Sequence, residues 1–322
     1  MTPPPAQLNC YLPGEVAGNA CTASKAKSNL TVPKLMVLAI LAGAYIGFGA
    51  NLATTIGCDS AKFLGNGVGQ LLFGSVFSVG LMLVVIAGSE LFTGNAMFMA
   101  VGALEGTISW GALIRNWVIV WIFNFVGSLI LVFIIYGAFY GGDSVGLFKG
   151  SVGAKAIAIA KGKVELAWWA AFFRAILCNW LVCLAVWLAL ASKDVIGKIF
   201  GIFFPIMAFV ASGFEHSVAN MFFIPIGILV SGHQPILDLA AQSVLTPDQI
   251  ATLASGGALP EAAQTAFDGF KAAVSGNLTW GALFTKNLIP VTIGNIVGGS
   301  IFVASSYWFS YLRKPKEAAE SK

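Results

Sequence analysis

Residues 88–95 read Gly-Ser-Glu-Leu-Phe-Thr-Gly-Asn, and residues 213–220 read Gly-Phe-Glu-His-Ser-Val-Ala-Asn. Each stretch interrupts an apolar run that would otherwise pass for one helix, and the two share Gly, Glu and Asn at the same spacing. Polar and ionisable residues inside a hydrophobic segment are costly in lipid, where every backbone N–H and C=O needs a partner. The same interruption at matched places marks a duplicated architecture built around two broken helices.

The surrounding chain has 322 residues, 57% of them hydrophobic and 10% charged, with a mean hydropathy of +0.84. Soluble domains carry roughly a quarter charged residues, so a soluble protein is excluded. The apolar residues gather in runs near the length an α-helix needs to cross about 30 Å of hydrocarbon, not in the short alternating segments of a transmembrane barrel. Spans are predicted at 35–54, 68–88, 116–138, 168–191, 199–211 continued by 218–231, and 287–311. Segments 95–104 and 218–231 are too short to cross alone, and each follows a break. The predicted fold class is therefore an all-α integral membrane protein of six spans, the second and fifth broken.

Met1 to Asn29 is polar and lacks the apolar core of a signal peptide, so the first span is expected to act as the signal. Lys25, Lys27, Lys34, Arg115, Lys193, Lys198, Arg313, Lys314, Lys316 and Lys322 fall on the side of the termini, against Lys62, Lys149, Lys155, Lys161, Lys163, Lys271 and Lys286 on the other. That bias places both termini in the cytoplasm. The expected divisions are a cytoplasmic segment at 1–32 with a helix-compatible stretch from Glu15 to Lys27, a channel domain at 33–312, and a cytoplasmic tail at 313–322. Within the domain, the halves are 33–140 and 165–312, and 232–282 is an extracytoplasmic loop with two helices, one opened by Thr246-Pro247-Asp248 and one from Glu261 to about Val274. Cys10, Cys21, Cys58, Cys178 and Cys183 show no disulfide or zinc spacing, and the two histidines form no metalloprotease pattern. No metal, cofactor, enzymatic activity or nucleic-acid partner is expected.

The repeat extends beyond the breaks. TISWGALIRNWVIVWIFNFVGS (107–128) aligns with LTWGALFTKNLIPVTIGNIVGG (278–299), pairing Trp110 with Trp280, Asn116 with Asn287, Asn124 with Asn295 and Gly127 with Gly298, given one inserted residue. A unit of three spans is odd, so its copies must lie in opposite orientations. Inverted repeats with discontinuous helices put a binding site near the bilayer midplane, and the helix N-termini exposed at the breaks favour an anion there.

His216, in the second break, has Leu91 as its counterpart, which points to chemistry added to one copy; the alternative is a neutral ring that satisfies backbone groups. Thr93 could hydrogen-bond His216 across the gap or cap the helix that starts beside it. Glu90 and Glu215, with Asn95 and Asn220, are matched by the repeat and are read as holding the breaks. Asn124 and Asn295 either bond between helices or face the pore. Lys163, with Lys161, could concentrate anions at the outer mouth or simply snorkel. Arg174, two turns into the fourth span, calls for a carboxylate or carbonyl partner. Phe77, Leu81, Leu91, Phe92 and Phe209 could form dry constrictions on either side of His216. His233 is expected at the surface.

AGSELFTGN (87–95), LCNWLVCLAVW (177–187), ASGFEHSVANMFFIP (211–225) and NLIPVTIGNIVGG (287–299) together resemble the formate/nitrite transporter family over about residues 33 to 312. The resemblance implies a homopentamer of aquaporin-like protomers in the inner membrane, passing small monovalent anions: formate foremost, with nitrite and hydrosulfide as rivals. It implies that His216 is the central histidine, Leu91, Phe92 and Thr93 the loop beside it, Asn295 the pore asparagine and Lys163 the outer vestibule lysine. The inner constriction would be Leu81, Leu91 and Phe92, and the outer one Phe77 and Phe209. Two features depart from the family: Glu165-Leu166 stands where many members carry a histidine pair, and the 232–282 loop is long. A neutral-solute channel is the remaining alternative, although the Asn-Pro-Ala pair of aquaporins is absent from both breaks. Formate is almost wholly anionic at neutral pH, so crossing the dry slits calls for a proton delivered by or through His216.

Overall fold

The computed structural model describes residues 9–313. Expectations for residues 1–8 and for the tail beyond Arg313 lie outside the described residues. In chain order the helices are α1 (Pro13–Ser28), α2 (Val32–Ile56), α3 (Asn66–Gly88), α4 (Phe92–Leu104), α5 (Trp110–Tyr140), α6 (Ser151–Val164), α7 (Trp168–Ala191), α8 (Val195–Ala211), α9 (Ser217–Val230), α10 (Gln234–Ala241), α11 (Pro247–Ala254), α12 (Glu261–Asn277) and α13 (Trp280–Leu312), with a one-turn helix at Ser60–Leu64. Of these, α2, α3, α5, α7 and α13 are long and apolar enough to cross a membrane. The chain leaves helical geometry between α3 and α4 at residues 89–91 and between α8 and α9 at residues 212–216, the two stretches singled out in the sequence.

Local chemistry sets the helix starts. Ser109 and Asp194 accept from the backbone N–H of Ala112 and Gly197 at 3.1 and 2.7 Å, capping α5 and α8. Thr246 and Gln249 form a capping box at the start of α11, with Pro247 in its first turn. The 232–282 segment holds one more helix than expected, because α10 buries Ile236, Leu237, Ala240 and Ala241 within a run too short to stand out. A further unpredicted helix, α6, buries Val152, Ala156, Ile157, Ala160 and Val164 against α9. Its lysines mask that stripe from a hydropathy reading.

In each repeat, glycine lets two helices meet backbone to backbone. A Cβ on Gly127 of α5 would strike the Ile40 carbonyl of α2, and one on Gly298 of α13 would strike the Ile176 carbonyl of α7. Gly127 and Gly298 are the pair aligned by the repeat, so the close crossing is duplicated along with the sequence.

The breaks are braced by matching hydrogen bonds. At the first, Asn124 accepts from the Phe92 N–H at 2.9 Å and donates to the carbonyls of Ala39 and Glu90 at 2.8 and 2.9 Å. At the second, Asn295 accepts from the Ser217 N–H at 2.9 Å and donates to the carbonyls of Ala175 and Glu215 at 2.9 and 3.0 Å. Asn95 donates to Glu90 at 2.7 Å and to Asn116 at 2.9 Å; Asn220 donates to Glu215 at 2.6 Å and to Asn287 at 2.7 Å. One asparagine in each copy thus satisfies both the N–H and the C=O that a broken helix leaves orphaned.

The residue inserted between Trp280 and Asn287 has a structural counterpart. Residues Leu283–Leu288 form a π-helical turn, whereas the equivalent part of α5 is α-helical. A π-turn absorbs one extra residue and leaves the facing of the next turns intact, so Asn287 reaches Asn220 as Asn116 reaches Asn95.

Two substitutions test this scaffold in detergent-solubilised protein. Asn295→Leu orphans the Ser217 N–H and two carbonyls and should lower stability by about 2–4 kcal/mol, seen as a fall in Tm; an unchanged Tm would mean that the brace is dispensable. Gly127→Val should abolish recovery of folded protein because a backbone carbonyl cannot move aside, whereas Val at the open position Gly137 should be tolerated.

Candidate functional site

Two cavities approach the breaks from opposite directions. One, of ≈ 160 Å³, is lined by Lys155, Lys163, Glu215 and His216 with Phe73, Phe77, Phe209 and Phe223. The other, of ≈ 420 Å³, is lined by Lys27, Glu90, Lys198, Leu81 and Leu91 with Phe98, Val186 and Leu190. Phe77, Leu81, Leu91, Thr93, Phe209 and His216 are each at most 3% exposed. The Phe77 and Phe209 rings meet edge to face at 5.8 Å, and Phe209 lies over the His216 ring at 5.9 Å.

His216 is the N-cap of α9. Its Nδ1 accepts from the Ala219 N–H at 3.0 Å, and its Nε2 lies 2.9 Å from Thr93 Oγ1. A nitrogen that accepts has no proton, so the neutral ring carries its hydrogen on Nε2 and donates it to the Thr93 oxygen. The Thr93 hydroxyl hydrogen is then directed elsewhere. The two breaks therefore meet through a side-chain bond, the first of the two roles the sequence left open for Thr93.

Electrostatics at the breaks follow the repeat as well. Lys163 Nζ donates to Glu215 Oε1 at 2.9 Å, and Lys27 Nζ donates to Glu90 Oε1 at 2.8 Å. Each glutamate thus binds a lysine with one oxygen and the break asparagine with the other, so neither carboxylate oxygen is left without a partner at its buried position. Lys27 does not stand out from sequence as a site residue. A signal is nonetheless present: Lys27 and Lys163 each stand five residues before the first residue of α2 and α7, the opening long helices of the two repeats.

Other expected site residues are placed differently. Asn295 lines neither cavity, and its acceptor and both donor contacts lie within the protein. Phe92 turns away from the Lys27 cavity into a surface groove with Trp117, Trp121 and the exposed Ile114, Val118 and Ile122. Phe98, Phe223, Lys155 and Lys198 line the cavities without being marked by the sequence, since nothing in an apolar helix pattern separates a pore-facing phenylalanine from a packed one. Lys161 pairs with Glu165 at 2.7 Å on the surface, Arg174 makes a 3.5 Å contact with the Gly213 carbonyl, and half-buried His233 bonds Tyr136 Oη at 2.8 Å. Among the described residues no group of His, Cys, Asp and Glu is arranged to hold a metal, and the five cysteines are unbridged.

The family model described as formate/nitrite transporter matches residues 14–309. A probable formate transporter of Methanothermobacter thermautotrophicus is 45% identical over 92% of this chain and 95% of its own length. The formate channel FocA of Escherichia coli K12 is 35% identical over 95% and 96%, and the nitrite transporter NirC of Salmonella typhimurium 32% identical over 94% and 92%. Among solved structures, a pentameric formate channel with formate bound superposes with a TM-score of 0.68 at 35% identity, covering 88% of this chain and 98% of that one. The chain, an integral multi-pass membrane protein, belongs to the formate/nitrite transporter family.

Proposed function

We propose that the chain forms a homopentamer in which each protomer conducts small monovalent weak-acid anions, formate foremost, along the path from one cavity past His216 and Thr93 to the other. The observation that carries this reading is the bonded His216–Thr93 pair, closed in by apolar side chains and flanked by a lysine-bearing cavity on each side. The relatives named for formate stand at higher identity than the one named for nitrite, which favours formate over nitrite or hydrosulfide. The pentamer rests on the solved neighbour. In this reading α3 with α4, and α8 with α9, serve as the broken second and fifth of six spans within a 33–312 channel domain, and the halves are inverted copies. The lysine and arginine bias puts both termini in the cytoplasm of a cell whose inner membrane holds the protein. The Lys27 cavity is then the inner mouth and the Lys163 cavity the outer one.

Phe77 and Phe209 form the outer slit, and Leu81 and Leu91 the inner one. Phe92 packs outward, and Asn295 serves as a brace, as do Glu90, Glu215, Asn95 and Asn220. A carboxylate moved toward these apolar walls loses hydration, which raises its pKa and draws a proton from water in the vestibule. Formate and one proton become formic acid, which carries no charge through the slit. The cap bond refines the expectation that the histidine hands over that proton: protonating Nδ1 would sever the Ala219 bond and put a cation at the positive end of α9. His216 therefore works as a neutral ring, holding Thr93 so that its hydroxyl can donate to the passing solute.

Flux into proteoliposomes tests this. At fixed total formate, influx should rise as external pH falls from about 8 to 5, approaching tenfold per unit, because the rate follows the proton concentration while the anion stays nearly constant. His216→Asn retains a cap acceptor and a donor and should keep flux within about tenfold of wild type with the same pH slope. His216→Leu removes both and should cost at least about tenfold. A pH slope that vanishes in His216→Asn would assign the proton to the ring and overturn the neutral-ring mechanism. Glycerol passage without anion flux would overturn the function itself.

A further inference from the structure

Each cavity holds one positive charge more than its ion pair accounts for. Lys155 and Lys163 face a single glutamate, Glu215, in one; Lys27 and Lys198 face a single glutamate, Glu90, in the other. The glutamates are taken by Lys163 and Lys27, at 2.9 and 2.8 Å. Among the described residues, neither the Lys155 nor the Lys198 ammonium has an ion pair or a hydrogen bond.

We propose that Lys155 and Lys198 are the anion-recruiting residues of the two mouths, while Lys163 and Lys27 hold the breaks. This rests on the proposed anion transport. Lys163 paired with Glu215 presents a dipole, whose field fades over a few ångströms; an uncompensated ammonium presents a net charge, whose field reaches across the cavity mouth. Lys155 stands two helical turns before Lys163 on the same face of α6, with Ile159 between them, and all three line the cavity. An anion approaching along that face meets the uncompensated charge before the paired one. Burial pushes the Lys155 ammonium's pKa below the ordinary lysine value.

The inner mouth reaches the same balance by a different route. Lys198 lies in the second turn of α8, whereas Lys155 is on α6, ahead of the second repeat, so the duplication that matches Lys27 with Lys163 does not relate these two. Lys198 also sits near the positive end of its helix, where a cation gains nothing from the helix dipole. Two cavities of unlike size and lining thus share one electrostatic feature that the common scaffold does not impose.

The test uses the full chain in vesicles of known orientation, with initial formate flux measured against concentration at low ionic strength and at about 0.3 M salt, where the Debye length falls below about 6 Å. Lys155→Gln should raise the half-saturating formate for entry from the outer side by about three- to tenfold at low salt, with the maximal rate within about twofold of wild type. The difference should shrink at high salt, and Lys155→Arg should restore the wild-type value. Lys198→Gln should do the same for entry from the inner side. Lys62→Gln, a lysine outside both cavities, should change nothing. Wild-type half-saturation and salt dependence in Lys155→Gln and Lys198→Gln would overturn the proposal while leaving the transport reading intact. So would the same signature appearing in Lys163→Gln in place of Lys155→Gln. Wild-type vesicles that carry neither formate, nitrite nor hydrosulfide would overturn both.

Discussion

A helix interrupted inside a membrane exposes backbone donors and acceptors that lipid cannot satisfy, and this chain leaves helical geometry at 89–91 and 212–216, between apolar helices. Asn124 and Asn295 resolve the problem in the same way: the carbonyl oxygen of each amide takes the first N–H of the new helix, while the NH2 group holds the carbonyl of the break glutamate and one from a neighbouring helix. Much of the rest of the architecture derives from that need. The asparagines reach the breaks because α5 and α13 cross their neighbours at glycine, and Glu90 and Glu215 remain buried because each has both a lysine and an asparagine to bind.

With the two breaks braced by one set of bonds, the proposed function rests on the differences between the copies. Where one break has Leu91, the other has His216; where one has Thr93, the other has Val218. The exchange brings a hydroxyl and an imidazole within 2.9 Å of each other. In the proposed function, duplication supplies a frame with two helix N-termini directed at the gap, and a few unmatched residues make the gap a polar point between apolar slits. The ring caps α9 through Nδ1, and the proposed neutral-ring role rests on that bond.

Much of this is legible in the sequence because the relevant signals are periodic or repeated. The positions of the five helices long and apolar enough to cross a membrane emerge from hydropathy, and the Glu–Asn pairs at 90/95 and 215/220 from self-comparison. The one-residue offset after Trp280 is visible as an insertion, although only the structure shows it as a π-turn. The features that stay hidden depend on three-dimensional proximity. In sequence Lys27 is an orientation signal, and in the structure it is bonded to Glu90; Asn295 has the sequence context of a pore residue, but its polar atoms are engaged within the protein. Phe92 and Phe98 are both aromatic and lie close together in sequence, yet Phe98 faces the Lys27 cavity and Phe92 does not. The helix α6 escapes a hydropathy reading because its buried stripe of small and aliphatic residues is interleaved with lysines, Lys155 and Lys163 among them.

The central claim is that a weak-acid anion crosses the closed layer together with one proton, as a neutral molecule. Recording formate and proton uptake simultaneously in proteoliposomes, with membrane potential tracked by a dye, tests it most directly. The account predicts one proton taken up per formate and no potential generated by the flux. Formate uptake that builds an inside-negative potential with no accompanying proton would contradict it, and would require the slits to pass the bare anion.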